Sequence, residues 1–137
     1  MKIREVMSNA VHMLGRDATV REAALMMLRE DIGSVPINDG DHLVGMVTDR
    51  DLVLRAIAQG KDADTPVADV MSEGVKYCFD DETVDDVAHN MSSLGVRRLP
   101  VVDRNKRLVG FVSLSNIASA DDTSATEDLL QGTAQPH

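Results

Sequence analysis

The sequence repeats itself once along its length, at a spacing of 64 residues and then, after one inserted residue, of 65. The first set of matches is Val6-Met7-Ser8, Asp17, Thr19-Val20, Ala24, Met27, Pro36 and Asp39, which return as Val70-Met71-Ser72, Asp81, Thr83-Val84, Ala88, Met91, Pro100 and Asp103. The second is Leu43-Val44-Gly45-Met46-Val47-Thr48, which returns as Leu108-Val109-Gly110-Phe111-Val112-Ser113. Such a period indicates two copies of one supersecondary unit that cover each other's apolar faces. We therefore expect a pseudo-twofold axis and a cleft between the copies that offers two related sites.

Length and composition bound the class of protein. A chain of 137 residues is expected to form about one cooperative unit, because two free domains of about 60 residues would each have a marginal core. No apolar run approaches the roughly 18 residues that a membrane helix needs. The first ten residues carry charges where a signal peptide would be apolar. We expect a cytoplasmic protein with no membrane partner.

Charge and cysteine content exclude further classes. The net charge of −9 argues against a nucleic-acid partner, since affinity for nucleic acids depends on neutralising phosphates. The single cysteine, Cys78, cannot form an intramolecular disulfide or a cysteine-based zinc site. We interpret it as a small buried apolar residue. The four histidines show no metal-ligand spacing, so we predict neither a metal site nor catalytic residues.

Each copy is predicted to contain, in order, a strand, a helix, two strands and a second helix. In the first copy Thr19 and Glu22 have the spacing of a capping box, and apolar residues at helical intervals follow. Residues 43–47 have the pattern of a buried strand, and residues 49–59 that of a helix followed by Gly60. The predicted fold class is mixed α/β (α+β), with two tandem β-α-β-β-α repeats related by a pseudo-twofold axis.

The boundaries follow from the repeat and from composition. We predict the first repeat over residues 1–62 and the second over residues 63–120, where Gly95 ends the first helix of the second copy. Residues 121–137 are small, acidic and polar apart from two leucines, and are predicted to be a flexible acidic tail.

The segment from Gly45 to Asp51 is the first candidate site. A strand ends and a helix begins there, so that the Thr48 hydroxyl and the first helical amides face one opening, which suits an anion. Asp51 in the first turn can accept two hydrogen bonds from vicinal hydroxyls. The alternative is that Thr48 and Asp51 form only a helix cap, which is the commoner role of such a pair.

The second copy has a related but altered segment. Ser113 replaces Thr48, Ser115 lies two residues further on, and Asn116 replaces Asp51. An amide accepts a sugar hydroxyl without the assistance of charge, and charge-assisted hydrogen bonds are roughly twice as strong. We expect this second site to be weaker for ribose, or specialised.

Basic residues lie near both segments. Arg97 and Arg98 precede a strand at the positions that Gly33 and Ser34 hold in the first copy. Arg50 lies at the start of the helix predicted over residues 49–59. The planar fork of arginine donates two parallel hydrogen bonds to phosphate. The alternative is that these arginines pair with surface carboxylates.

These features together resemble the CBS domain family, named for cystathionine β-synthase, and in particular a free-standing CBS pair or Bateman module. The resemblance extends over residues 1 to about 120 and includes the two Gly-x-x-Thr/Ser-x-x-Asp/Asn segments. It implies an adenine-nucleotide ligand (AMP, ADP, ATP or an NAD type), with Asp51 on ribose hydroxyls and Thr48 or Ser113 on phosphate or ribose. It also implies phosphate contacts from Arg98 and Arg97, and closure of the adenine end by Ala18, Thr19, Glu82 and Thr83.

The resemblance further implies a homodimer formed through the helices of both copies. Met26, Met27 and Met91 could contribute to that interface, since methionine fills irregular surfaces, or could simply pack in the core. The predicted function is a non-catalytic sensor whose regulatory ligand is an adenine nucleotide, with no required cofactor, and whose output passes to an unidentified effector protein. The alternative is a dimeric interaction scaffold with degenerate ligand sites.

Overall fold

The computed structural model describes residues 1–119, in which each copy of the repeat forms a three-stranded sheet and two helices. The first copy contains strand β1 (Leu14–Gly15), helix α1 (Val20–Glu30), and strands β2 (Ser34–Asp39) and β3 (His42–Thr48). Its sheet order is β1-β2-β3, with β1 parallel and β3 antiparallel to β2. Helix α2, which comprises Asp49–Asp51 and Leu52–Ile57, follows β3 directly.

The second copy repeats this order. It contains β4 (Cys78–Phe79), α3 (Val84–Leu94), β5 (Arg98–Val102), β6 (Leu108–Ser113) and α4 (Leu114–Ala118), with sheet order β4-β5-β6. The predicted mixed α+β class is therefore confirmed. The predicted tail, residues 121–137, lies outside the described residues. No helix within residues 1–119 is both long and apolar enough to cross a membrane.

Threonine caps start the two long helices, although of the capping box predicted from Thr19 and Glu22 only the bond to the threonine hydroxyl forms. The Thr19 hydroxyl accepts a hydrogen bond from the Glu22 amide at 3.1 Å, and the Thr83 hydroxyl accepts one from the Asp86 amide at 3.2 Å. Such a cap stabilises a helix by about 1 kcal/mol. The helices end at left-handed residues, α1 at Asp31 and α3 at Gly95.

Helix α2 differs from the regular α-helix that the sequence predicts. It begins with one α-helical turn, Asp49–Asp51, and continues as a π-helix, Leu52–Ile57. The wider turn is visible in the bond from the Ala58 amide to the Val53 carbonyl, five residues back. The local sequence holds no proline or glycine that would mark this change.

Two lead-in segments, residues 3–8 and residues 67–72, add to the sheets from a distance in sequence. Ser72 exchanges two backbone hydrogen bonds with Met46 of β3, at 2.8 and 2.9 Å. Ser8 exchanges two with Phe111 of β6, at 2.7 and 2.9 Å. The repeated Val-Met-Ser triplet is thus the part of the chain that pairs with the last strand of a sheet.

Gly45 and Gly110 are required by this close pairing. A Cβ atom on Gly45 would clash with the Met71 side chain and the Ser72 carbonyl, and one on Gly110 with Met7 and the Ser8 carbonyl. These glycines of the Gly-x-x-Thr/Ser segments therefore permit the lead-in segments to approach the strands.

The chain divides into two compact units that do not follow its linear order. Among the described residues, 12–75 form one unit, which we call the first-repeat unit, and 1–11 with 76–119 form the other, the second-repeat unit. Each has its own buried apolar core. The first centres on residues such as Val35, Ile37 and Val47, and the second on residues such as Ile3, Val101 and Ile117.

The methionines considered for an interface lie mainly in these cores. Met27 is buried in the first-repeat core and Met91 in the second, while Met26 is half-buried against the first. Core packing, which the helical spacing left open, is therefore the role of Met27 and Met91.

Candidate ligand-binding site

The first candidate segment forms a reciprocal helix cap at the end of β3. The Thr48 hydroxyl accepts a hydrogen bond from the Asp51 amide at 3.0 Å, and the Asp51 carboxylate accepts one from the Thr48 amide at 2.9 Å. Thr48 and Asp51 therefore do form a helix cap, which was one of the two roles that the sequence left open. The cap does not use every hydrogen-bonding position of these two side chains.

Asp51 keeps capacity to accept further hydrogen bonds. Its Oδ2 atom makes the capping bond, while its Oδ1 atom lies 3.6 Å from Nε of Arg55. An ionised carboxylate has about four acceptor positions. Because the Asp51 side chain is only 13% exposed, a hydroxyl that reached Oδ1 would meet a carboxylate largely shielded from water.

In the second segment the corresponding amide is already saturated. The Asn116 carbonyl oxygen accepts from both the amide and the hydroxyl of Ser113, each at 2.9 Å. The Ser113 hydroxyl also lies 2.9 Å from that of Ser115. A carbonyl oxygen has two lone pairs. The Asn116 carbonyl oxygen therefore has no free acceptor position, and the one hydroxyl proton of Ser113 is used in the same contact.

The two predicted arginines lie next to that second segment. Arg98 is directly opposite Ser113 in the β5–β6 pairing, and the Leu114 amide donates to the Arg97 carbonyl at 2.9 Å. The Arg98 guanidinium lies 4.1 Å from the centre of the Phe111 ring, and burial lowers its pKa. Neither arginine forms an ion pair with a carboxylate within residues 1–119.

The first segment has the opposite character at the equivalent place. Gly33 and Ser34 replace the arginines there, and the Asp49 carboxylate packs against Gly33. The first-repeat unit thus has two carboxylates at its strand end, with Arg50 and Arg55 on the same helix, whereas the second-repeat unit has guanidinium and hydroxyl groups but no carboxylate at the equivalent positions.

The remaining predicted residues serve local structure. The Ala18 carbonyl accepts from the Val67 amide at 2.7 Å, and the hydroxyls of Thr19 and Thr83 cap α1 and α3. Within the described chain they make no side-chain bond to either candidate segment. Arg50 lines a shallow groove of about 330 Å³ on α2 together with Asp49, Val53 and Leu54.

Comparison with known families decides the class. The family model described as CBS domain matches the chain twice, over residues 3–57 and residues 67–122. The chain belongs to the CBS domain family. The two matches coincide with the two copies of the internal repeat, so the chain carries two tandem CBS repeats.

Three relatives match the chain over most of their own length. The chain is 37% identical over 116 residues to the CBS domain-containing protein YhcV of Bacillus subtilis, a match that covers 85% of this chain and 82% of that protein. A crystal structure of Hypoxic Response Protein I with two coordinated zinc ions is 34% identical, with a TM-score of 0.75 and coverage of 86% and 97%. The CBS domain pair of protein MJ0100, in complex with 5′-methylthioadenosine and S-adenosyl-L-methionine, is 28% identical, with a TM-score of 0.69 and coverage of 86% and 93%.

Sequence reasoning missed two side chains beside these CBS segments. Arg55 lies against Asp51 and donates to the Met71 carbonyl at 3.3 Å, a position indicated only by its spacing of four residues from Asp51. The Phe111 ring packs against the Arg98 guanidinium. Its position in the Gly-Phe-Val-Ser segment of the second repeat did not predict this contact. Both residues orient a predicted ligand-binding side chain.

Proposed function

We propose that this CBS pair is a non-catalytic regulatory module that binds an adenine nucleotide. The observation that carries the proposal is the shielded Asp51 carboxylate, which has acceptor positions left after capping its helix. Vicinal ribose hydroxyls are donors that match such a carboxylate. Thr48 lies beside it with its hydroxyl at the same helix start.

The comparisons support a ligand of adenosine type. The related CBS pair of MJ0100 is described in complex with two adenosine-containing compounds. The zinc ions described for Hypoxic Response Protein I are not carried over, because residues 1–119 hold no group of three or more His, Cys, Asp or Glu side chains suited to a metal. The proposal therefore includes no metal.

The second segment would bind phosphate better than ribose. Arg97 and Arg98 offer donors, while the Ser113 hydroxyl proton is already donated to the Asn116 carbonyl, which is occupied within the protein. The contribution of Ser113 and Ser115 to a phosphate site stays a prediction. A guanidinium held over an aromatic ring keeps its fork oriented for an anion. Closure of the adenine end by Ala18, Thr19 and Thr83 stays a prediction, as does the phosphate contact of Arg50.

A regulatory role also requires a second protein that responds to ligand binding. A ligand shifts a conformational equilibrium only through its different affinity for the two states, so we infer a homodimer whose shape an effector protein recognises. The second candidate function is a dimeric scaffold with degenerate ligand sites. The saturated Asn116 amide favours that candidate for the second segment alone.

Calorimetric titration with AMP and with ATP tests the proposal. We expect micromolar binding that weakens about tenfold in Asp51→Asn, because the amide still accepts the capping bond but lacks the charge. Asp49→Asn is the matched control, since Asp49 lies in the same helical turn and, within residues 1–119, its side chain accepts a hydrogen bond only from the Arg50 amide. Equal affinity in wild type and Asp51→Asn would refute the role of Asp51, and silence from every adenine nucleotide would favour the scaffold.

A further inference from the structure

Asn38 places an amide in the apolar interior of the first-repeat unit. It lies in β2 and is only 4% exposed. Its Nδ2 atom donates a hydrogen bond to Sδ of Met13 at 2.7 Å. Its Oδ1 atom is buried with no hydrogen-bond partner among residues 1–119. The thioether of Met13 is therefore the acceptor on which this buried amide depends.

The chemistry of the two groups fixes which way the amide faces. A thioether sulfur accepts a hydrogen bond weakly and has no proton to donate. Turning the amide over would place Oδ1 of Asn38 against Sδ of Met13, where neither atom carries a proton. The Nδ2 group therefore faces the sulfur.

The second repeat has neither member of this pair. At the repeat spacing of 64 residues, Met13 corresponds to Tyr77 and Asn38 to Val102. Val102 is fully buried and occupies the equivalent place in the pairing of β5 with β4. The same sheet thus forms with an apolar side chain at this position, so the contact between Met13 and Asn38 is not a requirement of the CBS repeat.

Met13 is accessible to solvent although its sulfur is held. The chain has eight methionines, all within residues 1–119, and only Met13 and Met1 are exposed, at 42% and 60%. The residues on either side of Met13 are anchored. Nε2 of His12 lies 3.5 Å from a Glu30 carboxylate oxygen at the end of α1, and Leu14 pairs with β2. A small solute therefore meets this thioether in a fixed orientation.

We propose that Met13 is a site of oxidation by a peroxide, and that Asn38 directs the reaction to one face of the sulfur. A thioether sulfur has two lone pairs, and the Nδ2 proton of Asn38 occupies one of them. The other lone pair attacks one oxygen of hydrogen peroxide. The S–O bond forms as the O–O bond breaks, and the proton on the transferred oxygen passes to the leaving hydroxide. Sulfur gives up two electrons and becomes the sulfoxide, while the peroxide is reduced to water. Because only the outer lone pair is free, the folded protein yields one epimer of the sulfoxide.

Oxidation weakens the contact with Asn38. The oxygen is added on the face away from Nδ2 and draws electrons from the sulfur, so that the remaining lone pair of Met13 is a poorer acceptor. Both polar atoms of the buried amide then lack an adequate partner, which destabilises the folded state. β1 begins directly after Met13 and pairs with Asn38 through Gly15, so this strand is the element that loosens. The inference does not depend on the nucleotide or on the homodimer proposed above.

Limited treatment of the folded chain with hydrogen peroxide tests the site. Cleavage by trypsin after Arg4 and Arg16 releases one peptide that contains both Met7 and Met13, so mass spectrometry compares the two methionines directly. Met7 is half-buried. We expect Met13 to be oxidised at least about fivefold faster than Met7 in the folded protein, and at the same rate in urea. Equal rates in the folded protein would overturn the site.

The epimer composition tests the role of Asn38. After digestion, the peptide is divided between two methionine sulfoxide reductases, each specific for one epimer. We expect one of them to remove at least about fivefold more oxygen from Met13 than the other. The matched variant is Asn38→Val, which carries the residue of the second repeat and is expected to give similar amounts of both epimers. Equal amounts from the folded wild type would show that Asn38 does not direct the reaction.

Urea unfolding measures the loosening of β1. The unfolding equilibrium constant of the oxidised wild type is expected to be about tenfold larger than that of the untreated protein. Met13→Leu treated with the same peroxide is the control for oxidation at Met1, and its constant should change by less than about twofold. Circular dichroism confirms that both variants fold. An oxidised wild type as stable as the untreated protein would overturn the structural consequence.

Discussion

Cys78 shows how a single titratable group in a core links stability to pH. It lies in β4 and is 3% exposed, as the prediction of a small buried residue requires. Burial raises the pKa of its thiol from 9.0 to about 12, with further contributions from the charges of Glu82 and Asp80. The thiol therefore stays neutral in the folded protein over a range in which the unfolded chain ionises.

This difference predicts a loss of stability in alkali. Below pH 9.0 both states hold the proton and the contribution is fully present, and between 9.0 and about 12 only the folded state holds it. The free energy of unfolding should fall by about 1.4 kcal/mol per pH unit in that range from this group. Denaturant unfolding at about pH 8 and about pH 10 measures it. Cys78→Val is the control and should lose less, whereas an identical loss in both proteins would contradict the effect.

The difference between Asp51 and Asn116 also belongs to the residue scale. Both residues close a reciprocal cap with the residue three positions earlier, so their backbone roles are the same. They differ in what remains after capping. The carboxylate keeps acceptor positions, while the amide oxygen is filled by Ser113. Two equivalent positions in a repeat can thus share a structural role and differ in binding capacity.

Among the elements, the two lead-in segments each pair with a strand and contribute buried side chains to a core. The first contains a short 3-10 turn, Ile3–Glu5, whose isoleucine is completely buried in the core of the second-repeat unit. The Ile3 amide donates to the Glu82 carbonyl at 2.9 Å. Residues near a chain terminus are commonly poorly ordered unless they are held in this way.

Shortening the Ile3 side chain should therefore lower the free energy of unfolding as much as a substitution in the centre of the core. Ile3→Ala is expected to lower the free energy of unfolding by about 2–5 kcal/mol, because it removes buried methylene groups and leaves a cavity. Urea denaturation monitored by circular dichroism gives the value. Leu94→Ala, an exposed position in the same unit, should change stability by no more than about 0.5 kcal/mol. A cost for Ile3→Ala as small as that of the control would mean that the first lead-in segment is frayed.

Helix α2 combines two roles in one short element. Its first turn caps the strand end with Thr48 and Asp51, and its π-helical part exposes Val53, Leu54 and Ile57 while burying Leu52 and Ala56. π-helical turns are rare and are often found at functional sites. The candidate ligand residue Asp51 and these exposed apolar side chains therefore lie within a few residues of each other on one helix.

On the scale of the whole molecule, the excess of acidic residues opposes the folded state. The chain carries 23 acidic and 14 basic side chains, and folding brings this net negative charge into a smaller volume. Most acids lie at the surface, where salt screens their repulsion. Among the described residues, one ion pair that offsets it joins Arg104 to Asp81, whose pKa is lowered by the hydrogen bonds from that guanidinium.

Added salt should consequently stabilise the protein at neutral pH. We expect the melting temperature to rise by a few degrees when NaCl increases from about 10 mM to about 150 mM, as the screening length falls from about 30 Å to about 8 Å. Differential scanning calorimetry measures the shift. The same increment at the sequence pI of about 4.7 is the control and should be close to zero. Destabilisation by salt at neutral pH would show that attractive pairs outweigh the net repulsion.

Much of the fold was accessible from the sequence because its signals are local. The caps at Thr19 and Thr83 depend on residues three positions apart, and the strand patterns near β3 and β6 depend on neighbouring residues. The repeat then predicted that both copies share one order of elements, which the structure confirms. The π-helical part of α2 was not predicted, since no residue type in that segment distinguishes it from an α-helix.

The sequence by itself determined the class of the protein: a duplicated CBS repeat with its elements in order and its candidate ligand residues at the strand ends. Only the tertiary structure decided which lead-in segment completes which sheet, and which polar atoms remain free to bind a ligand. Pairing of Ser72 with Met46, or of Ser8 with Phe111, joins residues far apart in the chain. Periodicity and capping patterns extend over a few neighbouring residues and can be found in the sequence. The burial of a side chain, and which of its lone pairs accept hydrogen bonds, depend on all the groups that the fold places around it.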